Sequence, residues 1–410
     1  MAERTNSFKQ KHIEELKLII KQINDQLRQD VIPFWETRSE DKQHGGYFHF
    51  FDRKGKRYDD CKAGWFVGRT MYTFSSMYNE VSPDAKYLEI ARVGREYFNS
   101  SFYAGAGRFN RMMSTDGEII EGTTSIFTDH FAVKGLYEYI MACQEERLDK
   151  DVKDAEMYSE ILFANVKNPE IRKGVEPPRF QTHALNFMNL QVAQKSRGIF
   201  GERYQHIIDE CVKRSLYTFV DDKIKAPLEY IGLNDLPCFE DYGRIIDPGH
   251  TMEALWFCLE EGNYSNNMSY ARRAGEILDW VIERCYDEKC GGFYHRVDVD
   301  GGAPKAGFSD VDYGPAIAAW DDKVWWVQSE ALLALGMSAL INENEKHYQY
   351  FQKQLAYTEN YFRDYQYGEW YAILHRDGRV KCDLKGFAGK GAYHVPRCLI
   401  HLIHFLESYV

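Results

Sequence analysis

Stretches with apolar residues at helical spacing alternate along the chain with short aromatic stretches broken by glycine. Ile13, Leu16, Ile19, Ile20, Ile23 and Leu27 form one helical stripe. Phe127, Phe131, Val133, Leu136 and Ile140 form a second, and Leu332, Leu333, Leu335, Met337 and Leu340 a third. An apolar side chain every three or four positions turns one face of a helix toward a core. The periodicity predicts about twelve helices, near 8–30, 63–80, 84–99, 124–145, 152–163, 179–196, 201–218, 250–262, 266–285, 321–342, 345–364 and 391–408.

Between the helices a glycine–aromatic unit recurs, each time followed by a turn. Gly45-Gly46-Tyr47-Phe48 leads to Asp52-Arg53-Lys54-Gly55, and Gly107-Arg108-Phe109 leads to Asp116-Gly117. Gly291-Gly292-Phe293-Tyr294 leads to Asp300-Gly301, and Gly368-Glu369-Trp370-Tyr371 to Asp377-Gly378. Aromatic residues around Asp-Gly predict tight hairpins, because that pair accepts positive φ. A corresponding unit between 160 and 230 is degraded or missing. Helix pairs joined by hairpins about six times, with no parallel-strand pattern, predict a closed ring of helix pairs. An open helical solenoid is the alternative, disfavoured because the chain lacks polar capping repeats at its ends. No Pro/Ser-rich linker divides the sequence, so one domain over 1–410 is expected.

Composition narrows the range of partners. The 410 residues carry 51 Lys+Arg against 62 Asp+Glu, a net charge of −11, without any basic run. Nucleic acid and anionic membranes are therefore not expected partners. No apolar stretch approaches the roughly 20 residues needed to span a bilayer. The start, Met1-Ala2-Glu3-Arg4-Thr5-Asn6, lacks the layout of a signal peptide. Nine cysteines without a C-x-x-C pair predict reduced thiols and a cytoplasmic location. Aromatics reach 15%, and many lie in the hairpins or beside polar residues at predicted helix starts.

Four such starts hold the candidate chemistry: Lys62 to Arg69, Asp247 to Trp256, Asp322 to Glu330 and Lys390 to Arg397. Pro248-Gly249 breaks the chain before His250, and Glu253 follows three residues later on the same face. His394 repeats the pattern, with Arg397 three residues on. A positive helix N-terminus stabilises a nearby anion and lowers the pKa of an imidazole. Two histidines and an arginine suit proton transfer at a carbon next to a carbonyl, where a base takes the proton and a cation supports the enediolate. Bases on opposite faces of that carbon would invert it. Trp65, Trp256, Trp325 and Trp326 offer flat surfaces for a sugar ring, with core packing as the competing role. His183, in Thr182-His183-Ala-Leu-Asn186, is a further candidate. His401 and His404 share a face but lack a carboxylate or thiol to complete a ligand set, so no metal site is expected. Gly386 to Gly391 lacks the Ser/Thr and the preceding strand of a phosphate loop.

Taken in order, Pro248-Gly249-His250-Thr-Met-Glu253-Ala, Lys323-Val-Trp325-Trp326, Tyr367-Gly368-Glu369-Trp370 and Lys390-Gly391-Ala-Tyr393-His394-Val-Pro396-Arg397 resemble the N-acylglucosamine 2-epimerase family. The resemblance covers nearly the whole chain. It implies an all-α fold, an (α/α)6 barrel with short hairpins at one mouth, and reversible epimerisation at C2 of a reducing sugar. It also implies His250 and His394 as the two acid/bases, Arg69 as the cation beside O1 and O2, and Glu253 and Glu330 as orienting carboxylates. His183 is then a further substrate or ring-opening group, and Trp65, Trp325, Trp326 and Arg397 complete the expected binding residues. Cellobiose-epimerase-like relatives carry His-x-x-Glu where this chain has His183-Ala-Leu-Asn186, whereas Val-Pro-Arg after His394 resembles the acylglucosamine branch. The expected partner is a small sugar: N-acetyl-D-glucosamine interconverted with N-acetyl-D-mannosamine, or, as the alternative, mannose, glucose or a disaccharide such as cellobiose or mannobiose acted on by an epimerase or aldose–ketose isomerase; a homodimer is the candidate assembly. No cofactor is required for the chemistry, and ATP is a candidate allosteric activator. An (α/α)6 glycoside hydrolase and a pure binding protein are the readings from other classes.

Overall fold

Each predicted helical stretch folds as helix. The structure is a computed structural model that describes residues 2–143, 148–305 and 310–410. In chain order the main helices are α1 (Ala2–Gln26), α2 (Gly64–Ser76), α3 (Ala85–Tyr97), α4 (Ile126–Ala142), α5 (Asp149–Asn165) and α6 (His183–Phe200). They continue as α7 (Gln205–Lys213), α8 (Pro248–Tyr264), α9 (Met268–Cys285), α10 (Trp325–Ile341), α11 (Glu345–Tyr357) and α12 (His394–Glu407). The predicted end of the fourth stretch, residues 144 and 145, lies outside the described residues.

Two compact units divide the chain. The first comprises Met1–Pro33, Val212–Asp383 and His394–Val410, and the second Phe34–Cys211 and Leu384–Tyr393. In the first, α8 packs on α10 and α10 on α12, and the outer helices α9, α11 and α1 back them in turn. In the second, α4 packs against both α2 and α6, with α3 behind α2 and α5 behind α4. Sequence dictates which helices go inside. Every residue of α10 is buried, as an all-round apolar composition requires, whereas α9 buries one face through Ala271, Ala274, Ile277, Leu278, Val281 and Ile282.

Short strands fix where the inner helices begin. Lys62–Ala63 pairs with Met112–Met113 just before α2, and Lys323–Val324 pairs with Ile373–Leu374 just before α10. Ile245–Ile246 pairs with Val297–Asp298, and α8 starts two residues later. This pairing explains why α10 begins at Trp325 and not near 321. In the same way α12 begins at His394, because residues 384–393 form a loop against the second unit's Phe51.

The recurring Gly-Gly turns out to close a loop around an aspartate. Asp41 N–H bonds to Gly46 O and Asp287 N–H to Gly292 O; each carboxylate then takes a salt bridge from a buried lysine, Lys62 at 2.6 Å or Lys323 at 3.2 Å. Burial lowers the Lys323 pKa to about 8 against the pull of Asp287. Gly292 sits at φ +70°, where a Cβ would also run into the Tyr357 ring. Gly292→Ala is expected to cost about 1–3 kcal/mol in urea unfolding. The hairpin missing from the sequence pattern is present as Val220–Asp221 paired with Ala226–Pro227. It escaped notice because Lys225, at φ +51°, occupies a left-handed position where glycine would signal the turn.

Candidate active site

Within the first unit the N-termini of α8, α10 and α12 converge. Asp247 caps α8 by accepting the His250 N–H at 3.1 Å, and Pro248 opens the helix with the φ it already favours. His250 thus falls in the first turn of α8, while Trp326 and His394 lie in the first turns of their own helices. The Trp326 ring stands 5.0 Å from His250 and 5.8 Å from His394, centroid to centroid. The two candidate bases therefore both border one indole. Gly249 permits this approach, since a Cβ there would overlap the Trp326 ring.

One helical turn deeper, a buried charge cluster supports His394. Its Nδ1 lies 2.8 Å from Glu330 Oε1, and because a carboxylate only accepts, Nδ1 is the donor in this pair. Arg397 Nη2 reaches Glu330 at 2.5 Å and Glu253 at 2.7 Å, and Trp256 Nε1–H donates to the second Glu330 oxygen at 2.8 Å. Glu253, Glu330 and His394 place donor atoms within 4.8 Å of one another, a grouping that could hold a cation. The Arg397 guanidinium already lies on both of its carboxylates.

His250 has a different setting. Its Nδ1 lies 3.1 Å from Glu229 and 3.8 Å from Asp247, both carboxylates being buried. Burial alone would lower its pKa, but Asp247 and Glu229 outweigh it and raise the value to about 9. His250 is consequently a cation at neutral pH. Asp247 in turn stays below the usual carboxylate range despite burial, through the charges of His250 and Arg296. A free imidazole titrates near 6.5, so the stabilisation from this pairing is complete below about 6.5 and lost as pH climbs through about 9. Wild-type stability to urea should thus fall over that window, and His250→Gln should flatten the slope.

Other expected residues are distributed as follows. Trp325, one position before Trp326, is only 1% exposed and packs against Tyr313, so the sugar surface expected there is core instead. Arg397 is 0% exposed and committed to two carboxylates, which makes it a support for His394 and not a substrate contact. In the second unit, Arg69 lies over the rings of Phe131 at 4.1 Å and Tyr393 at 4.8 Å, with Trp65 at 5.5 Å. His183 opens α6 behind its Thr182 cap and meets Phe187 edge-on. Sequence reasoning missed Glu229. It lies 21 positions before His250 and arrives through its own N–H bond to Ile245 O, a connection that no spacing encodes.

Two histidines at helix starts, each beside a buried carboxylate, form a grouping with the chemistry to transfer protons, on a framework of helix pairs. The family model for N-acylglucosamine 2-epimerase (GlcNAc 2-epimerase) matches residues 46–398, and the chain belongs to this family, within the epimerase/isomerase class of enzymes. The chain is 29% identical to N-acylglucosamine 2-epimerase of Homo sapiens over 388 residues, 90% of this chain and 86% of that one. It is 24% identical to cellobiose 2-epimerase of Dictyoglomus turgidum, over 78% of this chain and 81% of the other. The solved cellobiose 2-epimerase of Bacillus thermoamylovorans superposes with a TM-score of 0.79 at 18% identity, covering 96% of this chain and 100% of that one. Such likeness shows the fold, an (α/α)6 barrel.

Proposed function

We propose that the protein interconverts N-acetyl-D-glucosamine and N-acetyl-D-mannosamine by moving the C2 proton through the enolate of the ring-opened aldehyde. The observation that carries this reading is the pair of imidazoles that both border Trp326, each with Nδ1 against a buried glutamate. In each ring Nδ1 faces a carboxylate, and Nε2 is the atom assigned here to the substrate. His250, cationic at neutral pH, is the acid in one direction, and His394 is the base; the return reaction exchanges the roles. A developing enolate beside the His250 cation is stabilised as it forms. Trp326 supplies an apolar face for the carbon chain.

One feature favours proton transfer over glycoside hydrolysis. That reaction needs one carboxylic acid and a second carboxylate about 5–10 Å apart across the bond. Here Glu253 and Glu330 are bound to the same Arg397 nitrogen. A second reading, the same chemistry on cellobiose or free mannose and glucose, is supported by the cellobiose 2-epimerase relative. A panel of these sugars, with and without ATP, separates the two readings by product chromatography. Conversion of N-acetylmannosamine above all others is expected; conversion of cellobiose or mannose alone would transfer the assignment.

A further inference from the structure

Trp326 is held from behind. Its indole N–H donates to the Tyr313 hydroxyl oxygen at 3.0 Å, and the same hydroxyl shares a second hydrogen bond of 3.0 Å with His295 Nε2. We propose that Tyr313 and His295 form a clamp that fixes Trp326 beside both His250 and His394, and so sets how each histidine meets the reacting carbon. Both are positioning residues. Neither belongs to the motifs that carry the family resemblance, and the inference rests on the two-histidine reading above.

Several observations converge on this role. Trp326 is 7% exposed, so its edge is committed to the clamp while its ring borders both imidazoles. His295 is fully buried, and burial together with the neighbouring Arg296 lowers its pKa to about 3. Its ring is therefore neutral across the working range, and the clamp does not loosen with pH as the His250 pairing does. The phenol of Tyr313 is likewise held above its usual range by burial and keeps its proton.

The backbone ties the clamp to the histidine it serves. His295 N–H donates to Trp320 O at 3.0 Å, and Val297–Asp298 follows two residues later. That strand pairs with Ile245–Ile246, which leads through the Asp247 cap into His250. The indole and the imidazole it packs on are thus referred to one small sheet. Arg296 reaches Asp247 at 3.4 Å from the same stretch. A free indole could swing out of the gap, leaving the histidines without a common wall and the reacting carbon without a fixed distance to either.

The test compares Tyr313→Phe, His295→Leu and His295→Gln with wild type, on N-acetylmannosamine in D2O. Phe keeps the ring but removes both bonds; Gln can still donate or accept; Leu can do neither. Two quantities are read: kcat and KM, and the ratio of deuterium in recovered substrate to deuterium in epimer. The ratio does not depend on how much enzyme is folded, so a merely structural role would leave it unchanged. Expected are a kcat about tenfold lower with KM within about threefold for Tyr313→Phe and His295→Leu, with the ratio at least threefold higher as proton return becomes less selective. His295→Gln should stay near wild type. An unchanged ratio in Tyr313→Phe, or equal behaviour of Leu and Gln at position 295, would overturn the clamp. Absence of C2 exchange in wild type would instead overturn the two-histidine reading.

Discussion

His394→Ala is expected to lower turnover roughly a thousandfold while the protein remains folded. A positioned acid/base contributes about 10²–10⁴ to rate, and the variant removes one of the two such groups. The stability effect is small by comparison. Glu330 retains Arg397 and Trp256 as donors, so only one hydrogen bond of about 1 kcal/mol is lost. Initial rates by chromatography, with circular dichroism melts alongside, check both halves. Turnover within tenfold of wild type would remove His394 from the chemistry.

Arg397→Leu should have the largest effect on stability. Glu253 and Glu330 are 4% and 0% exposed, and one guanidinium nitrogen neutralises both. Leucine leaves two buried carboxylates facing each other without a cation. Breaking a buried pair in this way costs about 3–5 kcal/mol. Adding Glu330→Gln to Arg397→Leu should recover part of the loss, because one of the two charges is then gone. Urea unfolding of wild type, single and double variants measures this directly. A single variant as stable as wild type would mean that the cluster carries no net strain of charge.

The helices were legible because their cores are written locally: three or four residues separate successive apolar positions, and these set both existence and type. Helix starts were less legible. Lys323–Val324 looks like the beginning of a helix, but it is a strand whose partner, Ile373–Leu374, lies 50 positions on. The same division holds at the site. His250 and His394 stand at helix starts marked by Pro-Gly and Gly residues, and Glu253, Glu330 and Arg397 follow at helical spacing, so they could be picked out. Glu229, His295 and Tyr313 reach the site through loops and strand pairing, which leave no periodic trace. Trp325 and Trp326 show the limit within one helix. Adjacent residues point about 100° apart, so one faces the histidines and the other the core.

Incubating wild-type protein with N-acetylmannosamine in D2O tests the central claim most directly. Deuterium should appear at C2 of N-acetylglucosamine and also at C2 of recovered N-acetylmannosamine, with epimer formation about a thousandfold slower in His394→Ala. Epimer formed without deuterium at C2 would contradict proton transfer between His250 and His394.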